Sequence, residues 1–332
     1  MSEGARRAVI RGTGSSLPEG VMSNADLARM VDTSDEWITT RTGIRERRVA
    51  SAEEPMSKFA TLAARQALEA AGVTAADLDL LICASVTPDM PIPSTACIIQ
   101  DQLGAANAAA FDLAAGCTGF LYGVAVAERF LASPEYRNVL VIGAEVLSKY
   151  VDWTDRTTCV LFGDGAGAAV LSAGEAPYGV LATALRADGS LADYIHVPAG
   201  GTREPASEKT IAARRHYIKM KGNETFKMAV RSMEEMSRDV LQKAGLATGD
   251  IDLFIPHQAN RRIIDAVGSR LGLREDQVFV NIERVGNTAA ASIPVALDEA
   301  VRQGRLKSGD VVLFTAFGTG LTWGASAVRW GG

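Results

Sequence analysis

The two halves of this 332-residue chain echo one another in four places, in the same order. In the first half Ala76-Asp-Leu-Asp-Leu-Leu-Ile82 leads, about 35 residues on, to a turn containing Cys117 and a helical stretch, then to Val139-Leu-Val-Ile-Gly143. In the second, Gly249-Asp-Ile-Asp-Leu-Phe-Ile255 leads at a similar distance to Gly286-Asn287-Thr288 and another helical stretch, then to Val311-Val-Leu-Phe-Thr315. Each half closes on a Gly-rich turn and an apolar strand, Phe162-Gly-Asp-Gly-Ala-Gly-Ala-Ala-Val-Leu171 and Phe317-Gly-Thr-Gly-Leu-Thr-Trp-Gly-Ala-Ser-Ala-Val328. One such match arises readily by chance; four in order point to an internal repeat. The expected organisation is two related α/β halves, 1–175 and 176–332, divided near Glu175 and packed as one unit. A pseudo-twofold relation would bring Cys117 and Asn287 to equivalent turns facing one another at the centre of the molecule.

In the first half, apolar strands alternate with Ala-rich helical stretches: strand over 79–84, helix over 94–103, strand over 108–113, helix over 118–132, strand over 138–143. That alternation predicts an α/β fold with a buried sheet. Ser57 is placed to cap a helix over 58–71, and Gly72 to end it.

Apolar residues make up 47% of the sequence and charged residues 22%, the balance of a globular protein long enough for a large core. The longest uncharged stretch, 311–328, only just reaches the ~18 residues of a membrane span. Gly318, Gly320 and Gly324 interrupt it, so it reads as two buried strands joined by a turn, and no membrane partner is expected. The opening residues 1–11 are short, basic and interrupted, unlike a secretory leader, and a cytoplasmic protein is expected. Cys83, Cys97, Cys117 and Cys159 are widely spaced, with no Cys-x-x-Cys and no zinc-like Cys/His grouping, which predicts neither a disulfide framework nor a metal site. A net charge of −5 argues against a dedicated nucleic-acid binder. Charge is nevertheless uneven, with eight Lys/Arg against three Glu between Arg203 and Arg231.

Cys117 lies in Phe111-Asp-Leu-Ala-Ala-Gly-Cys-Thr-Gly-Phe-Leu121, where an apolar strand stops and a helical pattern begins. A helix N-terminus offers unpaired N–H groups and partial positive charge, which favour a thiolate nucleophile and lower a thiol pKa of about 8.5. A lone intracellular cysteine is more commonly buried and inert. His257 follows the apolar strand 251–255 in Ile255-Pro-His-Gln-Ala-Asn-Arg-Arg-Ile263; Pro256 blocks further pairing, so the imidazole projects from a strand end, where α/β active sites gather. A hydrogen-bonded structural histidine fits the same spot. Asn287, in Val285-Gly-Asn-Thr-Ala-Ala-Ala-Ser292, would by itself be a turn or cap residue. Taken together, the three emerge at strand–helix turns with complementary chemistry, a nucleophile and two neutral donors able to stabilise an oxyanion.

The runs Ala114-Ala-Gly-Cys-Thr-Gly-Phe120, Pro256-His-Gln-Ala-Asn260, Gly286-Asn-Thr-Ala-Ala-Ala-Ser292 and Ala316-Phe-Gly-Thr-Gly-Leu-Thr-Trp-Gly324 together resemble β-ketoacyl-acyl-carrier-protein synthase III of the thiolase superfamily. The resemblance runs from about Val9 to Trp330 and takes in Asp32-Thr-Ser-Asp-Glu-Trp-Ile38 and Thr40-Arg-Thr-Gly-Ile44. It implies a thiolase-like α/β fold, two pseudo-symmetric halves layered α-β-α-β-α, in a homodimer. It also implies a two-stage decarboxylative Claisen condensation that starts fatty-acid chains, with a related acyltransferase or condensing enzyme of secondary metabolism as the alternative.

By that resemblance Cys117 would attack the thioester of a short acyl-CoA, the oxyanion being held by its own backbone N–H and that of Thr319. Malonyl on acyl carrier protein would enter next. His257 and Asn287 would hydrogen-bond its thioester carbonyl as CO2 leaves, and the enolate would attack the acyl group to give 3-oxoacyl-carrier protein. Acyl-CoA is here a substrate, and no cofactor is implied. Trp37 would stack on the CoA adenine, Arg41 and Arg156 would meet the nucleotide and its phosphates, and Thr33, Asn223 and Asn260 would add polar contacts. A core position for Trp37 and a surface ion pair for Arg156 are the plainer readings. Lys227, Gln258, Arg261 and Arg262 match carrier-docking positions, which gives the basic excess an acidic partner. Ile92 and Phe162 match acyl-pocket positions, Ile92 by reaching across a subunit interface. One departure is Thr319, where the family often has Gly: a β-branched residue would be strained there at positive φ.

Other chemistries fit less well. Thiolase itself would need a second reactive cysteine in the closing turn, and Phe317-Gly-Thr-Gly-Leu321 has none. Hydroxymethylglutaryl-CoA synthase and plant-type polyketide synthases share the nucleophile and the His. A Cys-His-Asn hydrolase would use the imidazole as base, against the four-motif match. A NAD-dependent dehydrogenase is countered by Gly163-Asp-Gly-Ala-Gly167, which runs into strand-like residues rather than a helix.

Overall fold

The computed structural model describes residues 6–331, so residues 1–5 of the opening run read above lie outside it. Among the described residues the strands are β1 Arg7–Ser16, β2 Val21–Ser23, β3 Glu46–Arg48, β4 Leu80–Ala84, β5 Ala109–Leu113, β6 Asn138–Glu145 and β7 Gly165–Gly174. They continue as β8 Gly179–Ala187, β9 Ile195–His196, β10 Lys219–Met220, β11 Leu253–Pro256, β12 Val311–Gly318 and β13 Thr322–Arg329. One sheet has the order β1-β7-β6-β4-β5 and a second the order β11-β12-β13-β8. In the first, β4 is parallel to β5 and β6, while β7 is antiparallel to β6 and β1. In the second, β11 and β12 are parallel, and β13 is antiparallel to β12 and β8.

Strands buried on both faces send alternate side chains into different layers. In β4, Leu80 and Ile82 join a central core with the helices Gly119–Leu131 and Ser292–Arg302, while Leu81 and Cys83 face the helices Met56–Ala71 and Thr95–Leu103. In the second sheet, Leu253, Ile255, Val312 and Phe314 enter that same central core. Phe254 and Leu313 point the other way, toward the helices Gly222–Ala244 and Arg261–Leu271. The result is five layers, α-β-α-β-α, with two central helices shared by both sheets. The uncharged 311–328 stretch is the β12–β13 hairpin, and no helix among the described residues is long and apolar enough to cross a membrane.

One expected cap is corrected. The helix Met56–Ala71 starts ahead of Ser57, with Pro55 as N-cap and no side-chain bond from the cap. Ser57 lies inside the first turn, buried, and its backbone N–H donates to the Asp89 carboxylate at 3.1 Å. Gly72 ends the helix in the left-handed region as expected. The helix Thr95–Leu103 likewise directs the N–H groups of Thr95 and Ala96 to the Asp112 carboxylate, at 2.8 and 2.7 Å. Distant carboxylates thus satisfy helix N-termini that local sequence leaves open.

Candidate active site

Cys117, His257, Asn287 and Thr319 line a single cavity of about 370 Å³, together with Phe162 and Asn260. Its remaining wall is largely apolar, with Leu147, Ile195, Met220, Phe226, Met233 and Phe317. Each of the first four comes from a different turn. Cys117 sits in a 3₁₀ turn, Gly116–Thr118, that leads into the helix Gly119–Leu131, and His257 follows directly on β11. Asn287 follows the short helix Ile282–Val285, and Thr319 follows β12.

The turn at Thr319 avoids the strain that a β-branched residue threatened. Outside glycine, the described residues with positive φ are Arg214 and Ala289, and the turn instead places its positive φ, 136°, on Gly320. The Thr319 hydroxyl donates to Ile195 O at 2.5 Å, and its methyl fills the space beside Gly116, where an added Cβ would stand 2.4 Å away. Gly116, at φ 54°, is therefore required both by its backbone and by its neighbour.

The expectation of a depressed thiol pKa at Cys117 is corrected. Burial, and next the Glu145 carboxylate, push it up to about 12; the backbone N–H groups of Cys117 and Thr319 pull it down without prevailing. Removal from water outweighs the start of one helix. Those two N–H groups are nonetheless the pair expected to form an oxyanion hole.

His257 is buried, its backbone N–H donating to Thr315 O at 2.8 Å, and its ring Nδ1 has no partner. Burial pushes its pKa down to about 3, so the imidazole is neutral at physiological pH. An unpaired lone pair at Nδ1 costs less than an unpaired N–H, which assigns the proton to Nε2. Asn287 is fixed on three sides. Its N–H donates to Leu161 O at 2.9 Å, its carbonyl accepts from Gly163 N at 3.0 Å, and its Oδ1 accepts from Ala289 N at 2.9 Å. With Oδ1 committed, the side chain presents its NH2 as donor. The cavity thus holds a protonated thiol and two neutral donors.

Sequence reasoning missed Glu145 and Thr87. Glu145, the last residue of β6, is buried and accepts from Thr87 Oγ1 at 2.5 Å, Ser85 Oγ at 3.2 Å and Val86 N at 3.2 Å. Burial raises its pKa to about 7. Thr87 also lines the cavity. The available signal was a carboxylate ending an otherwise apolar strand, two residues beyond the boundary expected at Gly143.

Outside the cavity, Trp37 and Arg41 lie on the helix Asp35–Thr42. Trp37 is 36% exposed, so it is no core residue, and the guanidinium groups of Arg41 and Arg156 stand 5.6 and 5.5 Å from its ring centre. Arg156 also donates to Asp32 O at 2.7 Å. Thr33 nearby is half-buried, with a partnerless hydroxyl. Asn260 joins this cluster to the cavity: its Nδ2 donates to Arg41 O at 3.0 Å while its Oδ1 caps the next helix at Arg262 N, 2.9 Å. Asn223 is exposed in the first turn of Gly222–Ala244.

Much of the basic excess is internally matched. Arg214 and Lys219 pair with Asp152, Arg215 with Glu204, Lys221 with Asp193 and Arg231 with Glu235. Lys227 makes no ion pair among the described residues, and Arg262 lies against the Phe226 ring at 5.4 Å. Arg261 pairs with Asp265 at 2.7 Å. Gln258 is corrected: it is fully buried, donating to Pro256 O and Phe279 O and accepting from Asn281 N, so it is a strut and unavailable for docking. Ile92 is 86% exposed and lies away from the cavity of its own chain, whereas Phe162 lines it.

Residues 111–189 match the sequence model described as 3-Oxoacyl-[acyl-carrier-protein (ACP)] synthase III, and residues 241–330 the one described as its C terminal part. The chain is 56% identical over 321 residues to beta-ketoacyl-[acyl-carrier-protein] synthase III of Caldanaerobacter subterraneus subsp. tengcongensis, covering 97% of each. It is likewise 56% identical over 322 residues to the synthase III of Symbiobacterium thermophilum, covering 97% of this chain and 98% of that one. The crystal structure of 3-oxoacyl-[acyl-carrier-protein] synthase III from Aquifex aeolicus superposes with a TM-score of 0.90 at 51% identity, covering 97% of this chain and 100% of that one. With the five-layer fold and a thiol, an imidazole and a carboxamide on one cavity, the chain belongs to the β-ketoacyl-acyl-carrier-protein synthase III family of thiolase-fold condensing enzymes.

Proposed function

We propose that Cys117, His257 and Asn287 divide between them the two stages of the family's reaction. The chain is an acyl-transferring condensing enzyme that initiates fatty-acid synthesis. In the first stage the Cys117 sulfur attacks the thioester carbon of a short acyl-CoA, the bond from that carbon to the CoA sulfur breaks, and the proton lost by Cys117 ends on CoA, which departs as the free thiol. The backbone N–H groups of Cys117 and Thr319 take the oxyanion that forms. In the second stage malonyl-carrier protein loses CO2, and His257 Nε2–H and Asn287 NH2 donate to its thioester oxygen as the enolate develops. The enolate carbon attacks the acyl-enzyme carbonyl, the Cys117–acyl bond breaks to leave a thiolate that takes a proton from water, and 3-oxoacyl-carrier protein leaves.

The observation that carries this reading is the committed Oδ1 of Asn287, which leaves a neutral donor, beside a neutral imidazole, in the cavity of the thiol. Neutral donors favour a developing enolate, and an imidazole whose pKa burial holds near 3 is too weak a base to take the thiol proton in the resting enzyme. Trp37, Arg41 and Arg156 grip the nucleotide of CoA, with Thr33, Asn223 and Asn260 along the way in. Lys227 and Arg262, aided by Arg261, receive the acidic carrier protein. Phe162 bounds the acyl chain.

The protein works as a cytoplasmic homodimer. In support, β5 is an open sheet edge, and Met90 and Ile92 nearby in sequence are 43% and 86% exposed, a combination that invites a covering partner. The halves 1–175 and 176–332 form one unit related by duplication, since β1-β7-β6-β4 and β8-β13-β12-β11 run with the same sequence of antiparallel and parallel pairings.

Incubation with acetyl-CoA followed by peptide mass spectrometry tests the first stage. One acetyl mass is expected on the Cys117 peptide and none in Cys117→Ala. Label confined to Cys83, Cys97 or Cys159 would refute the assignment.

A further inference from the structure

Arg47 is among the largest side chains wholly removed from solvent in this protein, and it has no carboxylate partner among the described residues. Its guanidinium donates twice to Asn24 Oδ1, both at 2.9 Å, to Met22 O at 3.1 Å and to Val160 O at 2.9 Å. Nε has no partner. Burial lowers its pKa to about 10, which still leaves it charged at neutral pH. A buried cation without a countercharge is unfavourable for the fold, and an apolar side chain of similar size is often tolerated better in such a place. What the fork reaches supplies a reason for it.

Val160 O begins the segment 160–163, and that segment holds the main chain of Asn287 on both sides, through Leu161 O and Gly163 N. The base of the Arg47 side chain presses on the same two strands of backbone: a Cβ added to Gly163 or Gly286 would stand 3.2 or 3.0 Å from Arg47 Cβ. The far anchor of the fork is Asn24, whose own Nδ2 donates to Ile44 O at 2.7 Å and to Asp35 Oδ1 at 2.8 Å. Arg47 therefore ties a rigid outer support to the backbone that aims the Asn287 amide.

We propose that Arg47 is a positioning residue for Asn287, holding through segment 160–163 the carboxamide that donates to the malonyl thioester during loss of CO2. Only the forked guanidinium reaches both Asn24 and Val160 O from one stem; an ammonium at the same place meets one of them. Asn24 keeps its bonds to Ile44 and Asp35 without Arg47; Phe162 in the tied segment also lines the cavity, so the acylation stage is compared at saturating acetyl-CoA, where a loosened acyl pocket is offset by substrate. This inference rests on the role proposed above for Asn287.

Arg47→Met keeps an unbranched stem and removes the fork. Release of CO2 from malonyl-carrier protein is expected to fall at least about tenfold, while acetylation of Cys117 at saturating acetyl-CoA stays within about threefold. Combined with Asn287→Ala, Arg47→Met is expected to add less than about twofold, because no amide remains to be misplaced. If Arg47→Met does not fold, Arg47→Lys is expected to give the same split in smaller measure. Parallel loss of both stages, loss of neither, or fully multiplicative losses in the double variant would overturn the proposal. A wild-type protein that neither acetylates Cys117 nor releases CO2 would instead overturn the two-stage reading on which it rests.

Discussion

Inside the cavity Cys117, His257 and Asn287 are neutral at physiological pH, whereas outside it Arg41, Arg156, Lys227 and Arg262 stand as cations, three of them against aromatic rings. Burial separates the two groups. Where water is excluded, an ionised side chain is penalised, so thiol and imidazole are driven to their uncharged forms and the amide is held by backbone bonds. Where water has access, charge is cheap to keep and long side chains serve to attract. On the reading proposed above, the interior acts on charge that appears only during reaction, and the exterior collects charged substrates.

The interior side of this contrast carries the largest expected effects. His257→Ala and Asn287→Ala should each lower CO2 release from malonyl-carrier protein by about 10²–10³, the usual consequence of removing one preorganised donor, while sparing acetylation of Cys117. Because burial holds the His257 pKa near 3, the imidazole stays neutral as pH rises through 6.5. The decarboxylation rate should therefore have no limb that His257→Gln abolishes between pH 5.5 and about 8. Normal CO2 release in both alanine variants would remove the distinction between interior donors and exterior collectors.

Positions set by a short motif were legible in the sequence: Cys117 and His257 were placed by their own motifs at a strand–helix turn and a strand end, whereas Asn287, by itself a turn or cap residue and found after the short helix Ile282–Val285, stood out only beside them; all three line one cavity. The strand pattern was legible for a related reason, since sheets buried on both faces favour uncharged, mostly apolar runs such as 80–84 and 311–318. Properties set by partners far along the chain were not. The Cys117 thiol is governed by burial and by Glu145 on another strand, rather than by its own helix start. Ser57 loses its capping role to Asp89, 32 positions away. Gln258, one residue from His257, points into the interior between Phe279 and Asn281, and adjacency in a motif gives no hint of that reversal. The support given by Arg47 to segment 160–163 spans 113 positions and left no local trace.

On the exterior side the nucleotide grip should have the next largest effect. Trp37→Ala removes the ring against which two guanidinium groups lie, and with it a stacking face for a purine worth ~1–3 kcal/mol. The KM for acetyl-CoA should rise about tenfold or more with kcat nearly unchanged, because the contact is equal in ground and transition states. Arg156→Ala should follow in the same direction by less, since its guanidinium is partly engaged by Asp32. An unchanged KM in Trp37→Ala would place the nucleotide elsewhere.

The smallest effects belong to carrier docking, where the charges are exposed and screened. Among the described residues Lys227 makes no ion pair, and the Arg262 guanidinium lies against the Phe226 ring without one, so neither must break a salt bridge to meet an acidic helix. Lys227→Glu and Arg262→Glu should each slow association with malonyl-carrier protein a few-fold at low ionic strength, acting on the rate of encounter more than on the bound complex. Raising salt toward 1 M shortens the screening length to about 3 Å and should bring wild type and variants together. Arg261→Glu has the opposite internal consequence, since it sets a second acid beside Asp265 and discards an existing ion pair. Its slowing should therefore come with a loss of helix stability that the other two variants lack. Charge reversal at Lys227 that leaves the low-salt association rate untouched would detach carrier docking from this face and leave the exterior cations to the nucleotide alone.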